Sequence, residues 1–302
     1  MLQFVADHVS HATPTGPATD LPMAVEAALI AAGAKRASGV LALATVRQRL
    51  AVLSEAHEAQ GVPNPCRTRA VGLVMERTRR AYAKRGVRPA RKEALTREPL
   101  EALLATCDAS AIGCRDRALL LFAWASGGRR RSEVVAATFE NVHRVEGGFL
   151  YLLGASKMKP TGTEHADQAK PVVGRAARAL EAWLACLAAA GIATGAIFRR
   201  VRRGGHIGEA LGPEAVRRLV QARAAQAGLT GDFAAHSLRS GFVTEAGRLR
   251  LPLAEVMVMT GHASMASVVG YHRTGAALTS RVAHMLDIVP PTELSSVEPR
   301  EN

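Results

Sequence analysis

Most of this chain is punctuated as helix, and that pattern constrains its fold more than any other feature. Asp20 stands before Pro22 and an apolar run, Ala24–Ile30, that Gly33 ends. Thr45 opens a second period, with Val46, Leu50 and Leu53 on one face and Gly61 as its stop. Pro63-Asn64-Pro65 is a turn, and a third helix is expected from near Thr68 to Arg85. Further on, Thr96 caps a helix with Pro99 in its first turn, and Ala118–Trp124 reads as a buried helix. Helical periods follow near 176–190, 213–227, 237–248, 252–259, 265–271 and 276–286. Gly148–Gly154 is the best strand candidate, and Ala169–Val173 can pair with it across a polar loop. The expected fold class is therefore mainly α with a small antiparallel β-sheet.

A charged segment with no apolar period, Gly86-Val87-Arg88-Pro89-Ala90-Arg91-Lys92, interrupts the helices and reads as an interdomain linker. It divides the chain into a helical domain at 1–88 and a mixed, mostly helical domain at 89–290, with a disordered tail at 291–302. No apolar run reaches the length of a membrane span, and the first residues lack the basic-then-apolar order of a signal peptide. A cytoplasmic protein with no membrane contact is the default expectation. Cys66, Cys107, Cys114 and Cys186 are scattered without zinc-ligand spacing, so reduced structural thiols and no metal are expected. The net charge of +13 attracts polyanions. With only two Trp, three Tyr and seven Phe there is little surface for stacking single strands, which makes duplex DNA the expected partner.

The chemistry-bearing residues lie far apart. Arg129-Arg130-Arg131-Ser132-Glu133 comes first, then Ser156-Lys157-Met158-Lys159 just after the strand candidate. His236-Ser237-Leu238-Arg239 follows, with both cationic side chains on one helix face. Gly261-His262 comes next, and Tyr271 stands nine residues beyond that histidine. Each element is weak alone. In this order and spacing they resemble the active site of the tyrosine recombinases, the phage integrase family.

The resemblance runs from about Thr45 to Leu286. Thr45–Leu50, His57, Gly61–Pro65 and Val71–Arg80 resemble the last helices of that family's core-binding domain, while residues 1–44 match less well. The resemblance implies a helical, SAM-like core-binding domain followed by a catalytic domain. It implies that Tyr271 is the nucleophile and forms a 3′-phosphotyrosyl ester, so that rejoining needs no ATP. Arg130 and Arg239 would hold the non-bridging oxygens and His262 would bond one of them. His236 would bond the phosphate or assist proton transfer at the tyrosine. Lys157 would protonate the leaving oxygen, with Lys159 as the alternative. Glu133 would orient its neighbours. Arg130 is selected because it lies three residues before Glu133; Arg129 and Arg131 remain alternatives.

Such a charge set does the work of Mg²⁺, so no cofactor is implied. Arg77, Arg79, Arg80, Lys84, Arg202 and Arg203 are candidate DNA contacts. The helix at 213–227 would enter the major groove, where Arg217, Arg218 and Arg223 either read guanine or bind phosphate. The final helix would dock on a neighbouring subunit, giving a homo-tetramer on paired sites and a monomer when free. A decayed DNA-binding protein and a type IB topoisomerase-like strand transferase are the alternatives.

Overall fold

A computed structural model describes residues 1–87, 92–154, 169–262, 264–265 and 268–271. Lys157, Lys159, the expected final helix, the expected tail and part of the expected linker lie outside the described residues. The chain divides into two compact units, Met1–Ala90 and Arg91–Asn302.

The first unit contains α1 (Leu2–His8), a hairpin of β1 (His11–Thr13) and β2 (Gly16–Ala18), α2 (Met23–Ala31), α3 (Leu43–Ala59) and α4 (Arg69–Lys84). Its core is small: Val5, Val46, Leu50 and Val71, backed by Phe4, Leu41 and Met75. Tyr82 adds a polar anchor, because the Ser10 N–H donates to its hydroxyl at 2.6 Å and Arg85 lies over its ring. Thr68 caps α4 as its sequence suggests, accepting the Val71 N–H.

Two expected caps move. Pro22 occupies the N-cap of α2, and Asp20 instead faces His11 at 3.7 Å. The Thr45 N–H bonds the Ala42 carbonyl, so Thr45 already lies in the first turn of α3, whose N-cap is Ala42. The helix at the N-terminus and the first hairpin had no periodic signal long enough to announce them.

The second unit begins with α5 (Arg97–Ala105), α6 (Ala111–Ala125) and the short α7 (Arg131–Val135). A three-stranded antiparallel sheet follows, ordered β3 (Val142–Val145), β4 (Gly148–Leu152), β5 (Ala169–Val173). The pairing of β4 with β5 was expected; β3 was not, since only Val142 of its four residues is buried and no alternation shows. Then come α8 (Gly174–Ala189), the hairpin β6 (Arg199–Val201) and β7 (Ile207–Ala210), α9 (Pro213–Gln226), α10 (Ala235–Arg248) and α11 (Leu253–Thr260). Leu119, Leu120 and Phe122 on α6 meet Leu180, Trp183 and Leu187 on α8 in the main core. Each such side chain contributes about 1.5–3 kcal/mol by leaving water. Among the described residues no helix is long and apolar enough to cross a membrane.

One expected DNA contact is a core residue. Arg223 is buried and bonds Asp116, which also holds buried Arg115, while Arg223 Nη1 donates to the Thr106 carbonyl. A guanidinium sealed between α6 and α9 cannot reach a base edge. Helical spacing put Arg217, Arg218 and Arg223 on one element but did not reveal that Arg223 faces inward.

Candidate active site

The site is assembled where α10 crosses beneath the turn between α6 and α7. Nearly every residue of α10 is buried, and its path is fixed by backbone contacts. The Leu95 N–H donates to the Ser237 carbonyl at 2.9 Å, and Trp124 Nε1 donates to the Leu95 carbonyl at 3.0 Å. The turn above must approach closely. A Cβ on Gly128 would lie 2.4 Å from the Arg239 Cα, and one on Gly127 would lie 2.2 Å from the Met259 carbonyl oxygen. Both glycines also have positive φ, +98° at Gly127 and +66° at Gly128, so side chains are disfavoured there twice over.

The three consecutive arginines after this turn take three different paths. Arg129 is buried, 1% exposed, and its Nη2 donates to the Met259 and Gly127 carbonyls. Arg130, at the N-cap of α7, stands half exposed and bonds Glu133 Oε1 at 2.6 Å. Arg131 is exposed and pairs with Glu214 on α9 at 3.0 Å. Glu133 accepts from the Arg130 side chain and backbone and lies 3.5 Å from Arg129. The Tyr151 hydroxyl on β4 donates to the Glu133 carbonyl at 2.5 Å, fastening α7 to the sheet.

A pocket of about 250 Å³ opens here, lined by Arg129, Arg130, Arg131, Arg217, His236 and Arg239, with Ala234 and Ala235. Arg239 is 4% exposed. Its Nη1 donates to the Gly128 carbonyl and its Nε to His262 Nε2, both at 3.2 Å. Its Nη2 is buried with no hydrogen-bond partner among the described residues. A charged donor left unmet is costly, and an anionic oxygen would satisfy it. Burial, then the cations of Arg129 and Arg130, push the Arg239 pKa down to about 10, so it stays protonated at neutral pH.

Both histidines resist protonation. His262 is pushed down to about 4 by burial and then by Arg239, Arg130 and Arg129. Because its Nε2 accepts from Arg239, the neutral ring carries its proton on Nδ1, which lies 2.6 Å from the Thr260 hydroxyl. His236 sits exposed at the pocket mouth, yet the protein around its ring, then Arg239 and Arg130, lowers its pKa too. The Tyr271 ring meets His236 edge to face, with centroids 6.3 Å apart, and packs with Val243, Val256 and Val268.

Six of the residues singled out in the sequence therefore converge: Arg130, Glu133, Arg239 and His236 around the pocket, with His262 bonded to Arg239 and Tyr271 against His236. Arg217 joins them on the pocket wall, although its guanidinium is paired with Glu214 and Gln221. Arg218 is exposed on the same helix. Arg202 lies on the β6–β7 hairpin paired with Glu209, and Arg203 is exposed beside it. Arg77, Arg79, Arg80 and Lys84 are exposed on α4 of the first unit. Sequence reasoning missed the depth of Arg129, the inward Lys170 on β5 and the Thr260 support for His262. The arginine run was visible, but neighbouring positions gave no sign of which side chain turns inward.

An integrase/recombinase XerD homologue of Selenomonas ruminantium is 32% identical over 242 residues, covering 76% of this chain and 68% of that protein. The crystal structure of the XerH site-specific recombinase bound to a palindromic difH substrate superposes with a TM-score of 0.51 at 21% identity, over 67% of this chain. This chain spans 57% of the XerH chain. A lambda integrase dimer bound to a core site gives a TM-score of 0.51 at 20% identity, over 87% of this chain and 67% of that one. Residues 93–277, the greater part of the chain and all of the pocket, match the phage integrase family, and the chain belongs to it.

Proposed function

We propose that this protein is a site-specific DNA recombinase that cuts and rejoins duplex DNA through Tyr271. The observation that carries the proposal is the pocket of converging guanidiniums in which buried Arg239 Nη2 lacks a partner among the described residues. Its cationic lining suits a phosphate, and a tyrosine stands against its histidine.

In the reaction the Tyr271 oxygen attacks the phosphorus and the bond to the 5′-oxygen breaks. Neutral His236 is suited to accept the phenolic proton. Lys157, or Lys159, supplies a proton to the departing 5′-oxygen. Arg130 and Arg239 hold the non-bridging oxygens, with Glu133 steering Arg130. A phosphate oxygen that draws the Arg239 guanidinium away leaves His262 Nε2 open to take a proton and donate to the phosphate. The guanidiniums supply the charge that metal ions supply in other phosphoryl-transfer sites.

The remaining assignments follow from the same reading. Residues 1–88 act as the core-binding DNA domain, and 89–290 as the catalytic domain. Arg77, Arg79, Arg80, Lys84, Arg202, Arg203, Arg217 and Arg218 contact DNA. On its residues, from about Thr45 to Leu286, the chain most resembles Cre recombinase. The helix expected at 276–286 links a tetramer on paired sites; the protein is a monomer when free of DNA, and it works in the cytoplasm.

The test is to incubate the protein with a pool of random-sequence duplexes, denature it, and sequence the DNA that stays attached. Wild type should carry one preferred site. Tyr271→Phe should carry none while binding that duplex normally. Wild type that retains no DNA, while binding duplex as well as the variant does, establishes a binding protein without the chemistry.

A further inference from the structure

The turn that carries His262 hangs from the C-terminus of α11. The last carbonyls of a helix have no intrahelical partners and form the negative end of its dipole. Here two of them are taken by buried cations from different parts of the fold. Arg129 Nη2 donates to the Met259 carbonyl at 2.5 Å, and Lys170 Nζ on β5 donates to the Val258 carbonyl at 2.7 Å. Each of these residues is 1% exposed. The Met257 carbonyl accepts from the Gly261 N–H at 2.8 Å and from the Thr260 hydroxyl at 3.3 Å. Thr260 in turn holds His262 Nδ1.

Burying an arginine and a lysine is expensive, and apolar side chains would fill the same volume at less cost. Water or the left-handed Gly261 cap suffices to end most helices. Two buried cations on adjacent carbonyls of one short helix therefore do more than terminate it. They draw α11 onto the Gly127-Gly128 turn from one side and onto the sheet from the other. The residue immediately after Arg129 is Arg130, and the residue pair immediately after α11 is Gly261-His262. The same contacts thus set the spacing between the pocket wall and the histidine that faces Arg239.

We propose that Arg129 and Lys170 are positioning residues that clamp the C-terminus of α11 and so fix His262 and the Tyr271 segment relative to the bound phosphate. This rests on the recombinase reading above. Arg129 also lines the pocket and stands 3.5 Å from Glu133, but its bond to α11, like that of Lys170, runs to the helix backbone.

The test uses Arg129→Met and Lys170→Met in the full chain, with Arg129→Lys and Lys170→Arg as conservative partners. Rates of adduct formation are measured on saturating duplex recovered from wild-type adducts, beside duplex affinity and amide hydrogen exchange. Each Met variant should slow adduct formation on the order of tenfold, with affinity within about twofold of wild type. Exchange should accelerate at 257–262 and stay unchanged in α6, and the conservative variants should recover most of the rate. A purely structural role would raise exchange throughout the unit without a local effect. Wild type that reacts, with Met variants reacting as fast or exchanging alike at 257–262, overturns the inference alone. Should a Met variant not fold, the conservative pair decides: wild-type rates in a folded Arg129→Lys with its α11 exchange raised also overturn it. Wild type that forms no adduct removes the recombinase reading and this inference with it.

Discussion

His262 offers the sharpest link between the charge of the pocket and a measurable property. Its pKa falls from an ordinary 6.5 to about 4 because burial and three guanidiniums disfavour a cationic ring. Between those values the unfolded chain binds a proton that the folded chain refuses. Stability is therefore intact above the ordinary value and is lost as pH falls through 6.5 towards 4. Fully expressed, the depression is worth about 3 kcal/mol. The ring is only partly buried, and solvent screening brings the expected effect to about 1–2 kcal/mol. His236 is lowered in the same direction and adds the same sign. Urea unfolding of wild type and His262→Gln at neutral and mildly acidic pH isolates the contribution. Wild type should lose about 1–2 kcal/mol more than the variant on acidification. Bound duplex should reverse the effect, since its phosphate offsets the guanidiniums. Calorimetry in buffers of different ionisation enthalpy should then show proton uptake by wild type and less by the variant. Equal acid sensitivity and equal uptake in the two proteins would refute the argument that arginines hold this imidazole neutral.

Gly128→Ala should cost adduct formation on the order of 100-fold, because its Cβ would displace the Arg239 backbone and so the guanidinium; the rate on saturating duplex checks this. Asp116→Ala strips the carboxylate from two buried arginines, Arg115 and Arg223, and should destabilise the fold by about 3–5 kcal/mol in chemical denaturation. Duplex affinity should fall steeply with salt, by about a thousandfold over a fourfold rise if six phosphates are neutralised. Removing exposed Arg77 or Arg79 should each lower that slope by about one, read from binding isotherms. Arg239→Lys should retain charge yet lose most activity, since an ammonium lacks the planar fork that bonds the Gly128 carbonyl and presents further donors to a phosphate.

The helices were legible because their signals are local. Thr68 caps α4 through contacts within its own first turn, and Pro213 opens α9, so neighbours in sequence carry the information. The β4–β5 pair was legible because strand alternation survives in Gly148–Leu152. Strand β3 escaped because its solvent-facing residues show no period, and the first hairpin because three-residue strands are too short to have one.

The candidate catalytic set was readable as order and spacing: an arginine before an acid, a histidine three before an arginine, a tyrosine nine after a histidine. Those features are linear, and a chain keeps them whatever its packing. The sequence by itself determined that such groups exist, that the chain is helical and that it is strongly cationic. Only the tertiary structure decided what each cation does. Arg129 and Arg130 are adjacent in the chain, yet one is sealed against α11 and the other stands at the pocket wall. Arg217 and Arg223 share a helix, yet one lines the site and the other is buried with Asp116. A guanidinium has the same chemistry in every position. Its role is set by which carbonyls and carboxylates lie within about 3 Å of it, and for Arg129, Arg223 and Arg239 those partners come from distant parts of the chain.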